Sequence, residues 1–156
     1  MWYTIVPAAA VLGAEAIIRR RINALPQEFF PCDLTARIQL RRMYNRGLVD
    51  SKLAGRPGAA LAVQTGATVM IVAVSVAANR PAAAPIAGPV ARIGLGLLLG
   101  GALANLLERY IKHQVTDYVY LKDTRLPVVR RLIWNVADLN ICLGALVAAA
   151  GMIADV

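Results

Sequence analysis

The carboxyls of Asp117 and Asp138 are the side chains of this sequence best placed to do chemistry. Asp138 lies in LIWNVADLNICLGALVAAAG, a segment otherwise almost free of charge, and Asp117 lies in VTDYVY, shortly after the preceding apolar run. An ionised carboxylate at membrane depth costs several kcal/mol unless it is paired, solvated or protonated, so an aspartate there marks a functional site. Two carboxyls brought to one site do not both ionise easily, and one keeps its proton while the other stays charged. The charged partner can take a proton from a water that attacks an amide carbonyl, while the protonated partner donates to the carbonyl oxygen. Such hydrolysis requires no metal, no cofactor and no nucleophilic side chain. The sequence offers no competing constellation: His113 is the only histidine, no HExxH occurs, and Cys32 and Cys142 have no metal-ligand or disulfide spacing. His113 itself reads as a surface or interfacial residue.

Polar companions accompany the two aspartates. Asn105 and Arg109 follow the apolar run of GGALANLLER, and Asn135 precedes Asp138 by three positions, a spacing that places both on one helix face. Each has an ordinary explanation, with the asparagines as interhelical hydrogen-bond partners, Arg109 as a cation snorkelling from a helix end and Glu108 as its surface partner. Beside two aspartates, the alternative is that they support the site. Arg19, Arg20 and Arg21 read as an interfacial anchor, Trp2, Tyr3 and Trp134 as interface aromatics, and Gly94, Gly96, Gly100 and Gly101 as helix-packing contacts.

The elements that must position these groups are membrane helices. The 156 residues are 58% hydrophobic but only 6% aromatic, an excess of small and aliphatic side chains suited to a bilayer. A spanning helix needs roughly 20 mostly apolar residues. Four stretches approach that length, residues 2–18, 58–78, 89–107 and 133–153, which predicts an all-α membrane protein of four transmembrane helices in a single polytopic domain, 1–156. The chain starts without the basic stretch of a secretory leader, so the first apolar segment is expected to be retained. Arg56-Pro57-Gly58 precedes the second helix, and the Ala/Pro run PAAAPIAGP forms a short spacer before the third. The net charge of +8 is expected to meet lipid phosphate and not nucleic acid. Residues 19–57 hold nine Lys/Arg and residues 108–132 hold six, while the connection at 79–92 holds only Arg80 and Arg92. Taken alone, that bias places both long connections in the cytoplasm and both termini outside.

GGALANLLER, VTDYVYL and WNVADLNICLGA, in that order and spacing, resemble the signature blocks of signal peptidase II, which read approximately GGALGNLIDR, VVDF and FNVADSAICVG. The resemblance covers residues 94–146, and the N-terminal half is similar mainly in layout. Position by position it implies that Asp117 and Asp138 are the catalytic dyad and that Asn105, Arg109 and Asn135 support it or bind substrate. MYNRGLVDSKL resembles the family's Asn-x-Gly segment, which implies that Asn45 and Gly47 belong to a small extended or β-like flap in the first long connection. Four departures stand out: Ala104 replaces a glycine, Glu108 replaces an aspartate, Leu48-Val49-Asp50 replaces Ala-Ala-Phe, and Glu15 and Arg19 stand at the spacing of an Asp-x-x-x-Lys on the first helix.

The resemblance implies a multi-pass aspartyl endopeptidase of the bacterial inner membrane, acting as a monomer without a cofactor. Its partners would be prelipoprotein signal peptides, cut before a diacylglyceryl cysteine, and membrane phospholipid. The family orientation puts the dyad toward the outer face with both termini in the cytoplasm, opposite to the charge-derived topology. Alternatives are a specialised paralogue, with a narrower substrate range or conferring resistance to a lipopeptide inhibitor, and a non-enzymatic helical bundle whose aspartates carry protons or bind a partner.

Overall fold

A computed structural model of the chain describes residues 1–48, 53–80, 87–125 and 127–154. Among the described residues four helices are long and apolar enough to cross a membrane: α1 (Trp2–Ala24), α2 (Pro57–Ala78), α3 (Pro89–Lys112) and α5 (Val136–Ala154), with the short α4 (Pro127–Arg131) outside them. Pro57 and Pro89 open α2 and α3 at the first helical position, where a missing N–H costs nothing. α3 ends on His113, a left-handed cap whose N–H donates to the Arg109 carbonyl at 2.8 Å.

The third helix is the axis of the bundle, packing against α1, α2 and α5. Its glycines face the neighbours: a Cβ on Gly96 or Gly100 would run into the backbone of α1 at Thr4 or Ala8, and one on Gly94 would strike α5 at Ala148. In a bilayer, where apolar burial gives helices little mutual attraction, such close backbone approach supplies the packing contacts. At Gly101 a Cβ would lie 2.5 Å from the carbonyl oxygen of Ala137, so this glycine sets the distance between α3 and the first turn of α5.

Both long connections contribute to one antiparallel sheet of order β1-β2-β3-β4, formed by Cys32–Asp33, Ile38–Asn45, Val115–Leu121 and Ile133–Trp134. Since β2 runs between α1 and α2, and β3 between α3 and α5, the sheet lies where the C-terminal ends of α1 and α3 meet the N-terminal ends of α2 and α5. The flap expected in the first connection is therefore half of a sheet that the alternating VTDYVYL completes. A register shift between Leu40 and Met43 accommodates Arg41, stacked 3.6 Å over the Tyr120 ring, and Arg42, which donates to the Leu25 carbonyl at 2.7 Å and ties the end of α1 to the sheet.

Candidate active site

Asp117 is brought to the bundle by β3. On an antiparallel pair the residue opposite Asp117 is Met43, and Asn45 pairs with Val115, so Asn45 is its diagonal neighbour on the same sheet face. The Asn45 amide donates to Asp117 Oδ2 at 3.2 Å and to the Leu48 carbonyl at 3.1 Å, while its Oδ1 accepts the Gly47 N–H at 2.9 Å. Gly47 thus closes an Asx turn that fixes the Asn45 side chain and does not itself line the site.

Asp138 is placed by the cap of α5. Asn135 is the cap residue rather than a helical neighbour on one face, which corrects the sequence expectation: the three-residue spacing is a capping box. Asn135 Oδ1 accepts the Asp138 N–H at 2.8 Å and Asp138 Oδ2 accepts the Asn135 N–H at 3.3 Å. The fully buried Asn135 amide also donates to Asp117 Oδ1 at 2.7 Å, so one asparagine joins both aspartates. Ile133 and Trp134 pair with Tyr120 and Val119, and this short β4 delivers Asn135 to the edge of β3.

A helix that begins inside a protein must satisfy its first N–H groups. Val136 N–H donates to the Tyr118 hydroxyl at 3.2 Å and Ala137 N–H to Glu15 at 3.4 Å, beside the Asp138 N–H already held by Asn135. Tyr118 in turn donates to Glu15 Oε2 at 2.6 Å, and burial, reinforced by that carboxylate, raises its phenol well above the ordinary range. Glu15 pairs with Arg19 at 2.8 Å, and Arg19 reaches Glu108 at 2.9 Å and the Ala104 carbonyl at 3.0 Å. Arg19 also donates to Asn105 Oδ1, which turns the Asn105 amide toward Asp138 Oδ1 at 2.7 Å. Glu108 is completed by Lys112 and by the N–H and hydroxyl of Thr116.

These contacts correct three sequence expectations. Arg19 is buried and internally paired, and only Arg20 and Arg21 are exposed in the manner of an anchor. Glu108 serves Arg19, Lys112 and Thr116 and has no bond to Arg109 among the described residues, because the two point to different faces of α3. Trp134 is half-buried and lines the site, unlike Trp2 and Tyr3, which are exposed.

Asp117, Asp138, Asn45, Asn105, Asn135 and Arg109 all open onto one cavity of about 360 Å³, whose remaining wall is largely apolar and includes Leu48, Trp134 and Ile141. Asp117 is buried, and desolvation, followed by the charge of Asp138, pushes its carboxyl up from 3.8 to about 7, against the opposing hydrogen bonds of Asn135 and Asn45. The cavity also receives Gln64 from α2, which sequence reasoning passed over. The available signal was an amide in a helix of otherwise apolar and hydroxyl side chains. Among the described residues no group of three or more His, Cys, Asp or Glu is arranged to hold a metal ion.

Four apolar helices beneath a sheet, with two carboxyls facing one cavity at that end, define a multi-pass membrane protein with an acidic cleft. Residues 8–154 match the family model of signal peptidase (SPase) II, and the chain belongs to that family. A lipoprotein signal peptidase of Mesorhizobium japonicum is 31% identical over 143 residues, covering 89% of this chain and 80% of that protein. One of Maridesulfovibrio salexigens is 47% identical over 55 residues, which span 34% of this chain and only 32% of that relative. Two bacterial membrane enzymes solved by the in meso method share the fold: one has a TM-score of 0.77 at 18% identity, covering 96% of this chain and 87% of the other. The second has a TM-score of 0.72 at 16% identity, with coverages of 97% and 92%.

Proposed function

We propose that this chain is a membrane aspartyl endopeptidase that removes the signal peptide of prelipoproteins before a lipidated cysteine, with Asp117 and Asp138 as its catalytic dyad. The observation that carries this reading is the pair of carboxyls held by one asparagine at the wall of one cavity. Asp138 is assigned the negative charge because it sits in the first turn of α5, where the helix N-terminus favours an anion, a setting that Asp117 on its strand lacks. Asp117, whose carboxyl is raised to about 7, is assigned the proton. Asp138 takes a proton from the water as its oxygen bonds to the scissile carbonyl carbon and Asp117 donates its own to the carbonyl oxygen; the proton held by Asp138 then passes to the amide nitrogen, the C–N bond breaks, and a hydroxyl of the tetrahedral intermediate returns a proton to Asp117. No covalent intermediate forms. Arg109, Asn105, Asn45 and Asn135 hold the dyad and the substrate backbone, with Gly47 supporting Asn45.

The apolar wall suits an extended hydrophobic leader, and the exposed apolar flanks of the helices suit diacylglycerol and phospholipid chains. On this reading the protein works as a single polytopic unit of the bacterial inner membrane, as a monomer and without a cofactor. Leu48 favours a second, narrower reading, a paralogue with a restricted substrate set: it lines the cavity where the family's motif has a small alanine. Val49 and Asp50, the rest of that departure, lie outside the described residues.

Mass spectrometry of the purified chain with prepeptides that differ only in diacylglyceryl modification tests the substrate. Cleavage before the modified cysteine and none of the unmodified peptide is expected. Cleavage of the unmodified peptide alone, or elsewhere, would remove the lipoprotein assignment. Release of only a few leaders in a series would support the restricted set.

A further inference from the structure

Gln64 is the only α2 residue on the cavity wall among the described residues, and its Oε1 accepts the Nε–H of Arg109 at 2.5 Å. The Gln64 backbone is occupied separately, its carbonyl accepting the Thr68 hydroxyl at 2.8 Å. Arg109 is 5% exposed, and its Nη1 is buried without a partner although the residue lines the same cavity as both aspartates. A buried guanidinium N–H left unmade costs on the order of 1–3 kcal/mol, which a structure retains where a ligand supplies the missing acceptor.

We propose that Gln64 is a positioning residue for substrate recognition: it fixes the plane of the Arg109 guanidinium so that the unpartnered Nη1 meets a backbone carbonyl of the extended peptide in the cleft. The guanidinium is planar and its donors are fixed relative to one another, so a single bond at Nε orients the rest of the fork. A neutral amide does this without cancelling the charge that Arg109 presents to the carboxyls and to the substrate carbonyl. A glutamate would hold the same nitrogen but neutralise it, and a leucine would leave the fork to rotate. The inference rests on the proteolytic reading and adds to it a residue from a helix that carries neither aspartate.

The test is steady-state cleavage of a lipidated prepeptide by the native chain, Gln64→Leu, Gln64→Asn, Gln64→Glu, Arg109→Ala and the Gln64→Leu/Arg109→Ala double variant, each checked by thermal unfolding. Gln64→Leu is expected to raise KM about tenfold while kcat changes by less than about threefold, the pattern of lost binding without lost chemistry. Gln64→Asn, one methylene short of the guanidinium, follows it and stands in should the leucine variant not fold. Gln64→Glu, which keeps an acceptor at Nε but neutralises the guanidinium, is expected to give a KM between those of the native chain and Gln64→Leu. On the Arg109→Ala background the leucine adds no further defect, because the two residues act as a unit. A KM within twofold of native for Gln64→Leu and Gln64→Asn, or a defect that multiplies with that of Arg109→Ala, would overturn the inference while leaving the protease reading intact. Absence of cleavage by the native chain overturns both.

Discussion

At the scale of single residues, what distinguishes the two aspartates is what holds them. Asp117 is buried on a strand, and among the described residues its carboxyl accepts side-chain hydrogen bonds from Asn45 and Asn135; burial and the charge of Asp138 outweigh these and raise it from 3.8 to about 7. Between about pH 4 and 7 the folded chain therefore keeps a proton that the unfolded chain has released, so this carboxyl lowers stability as pH rises through that window. Asp117→Asn, which carries no charge, is expected to be more heat-stable than the native chain at pH 8 by about 1–3 kcal/mol, with the gain shrinking toward pH 4. Thermal unfolding against pH checks this, and a pH-independent difference would contradict it. The same titration predicts that cleavage declines above about pH 7, as the proton donor is lost. Arg19 matters at this scale as the cation between Glu15 and Glu108. Arg19→Ala leaves the buried Glu15 without its cation, leaves Glu108 to Lys112 and Thr116, and releases Asn105, and a loss of about 3–5 kcal/mol is expected in denaturation or thermal melts. A loss below about 1 kcal/mol would show that water replaces the guanidinium.

At the scale of elements, the site depends on how closely α5 approaches α3. Gly101→Ala forces a methyl against the Ala137 carbonyl one residue before Asp138, and it is expected to cost about 1–3 kcal/mol and to lower kcat by displacing the first turn of α5. Gly66→Ala, in α2 with nothing near the added methyl, should leave activity unchanged and stability equal or higher. Equal behaviour of the two variants would show that α5 is not positioned by this contact. The spans are legible in the sequence because hydropathy alone reports them, whereas their ends depend on tertiary partners. The first stretch, read as 2–18, continues to Ala24 because Arg19 finds carboxylates inside the bundle, and the third, read as 89–107, continues to Lys112 because Glu108 is fully bonded. The fourth, read from 133, begins as a helix only at Val136, since Ile133 and Trp134 are taken by β3. Asp117 and Asp138 are legible as a candidate pair because charge in an apolar context is costly. Gln64 is not, because its role arises from an arginine 45 residues away that no local pattern connects to it.

At the scale of the whole molecule, sheet, cavity and most of the basic residues share one end of the bundle, while Arg80 and Arg92 flank the opposite connection. Charge bias alone would turn the sheet end toward the cytoplasm, whereas hydrolysis of an exported precursor places it outside. Arginines around the sheet, such as Arg20 and Arg21, can meet lipid phosphate in either leaflet, so the proposed function predicts the outward orientation. With the native cysteines replaced, Lys122→Cys should react with an impermeant thiol reagent applied to intact cells and Arg80→Cys should not; the reverse pattern would be incompatible with the lipoprotein role. The most direct test of the central claim is cleavage of a lipidated prepeptide by the native chain, Asp117→Asn and Asp138→Asn, each shown to be folded. Release of the leader by the native chain, with a loss of at least about a thousandfold in each variant, is the predicted result. Turnover near the native rate in either variant would contradict the shared-water dyad.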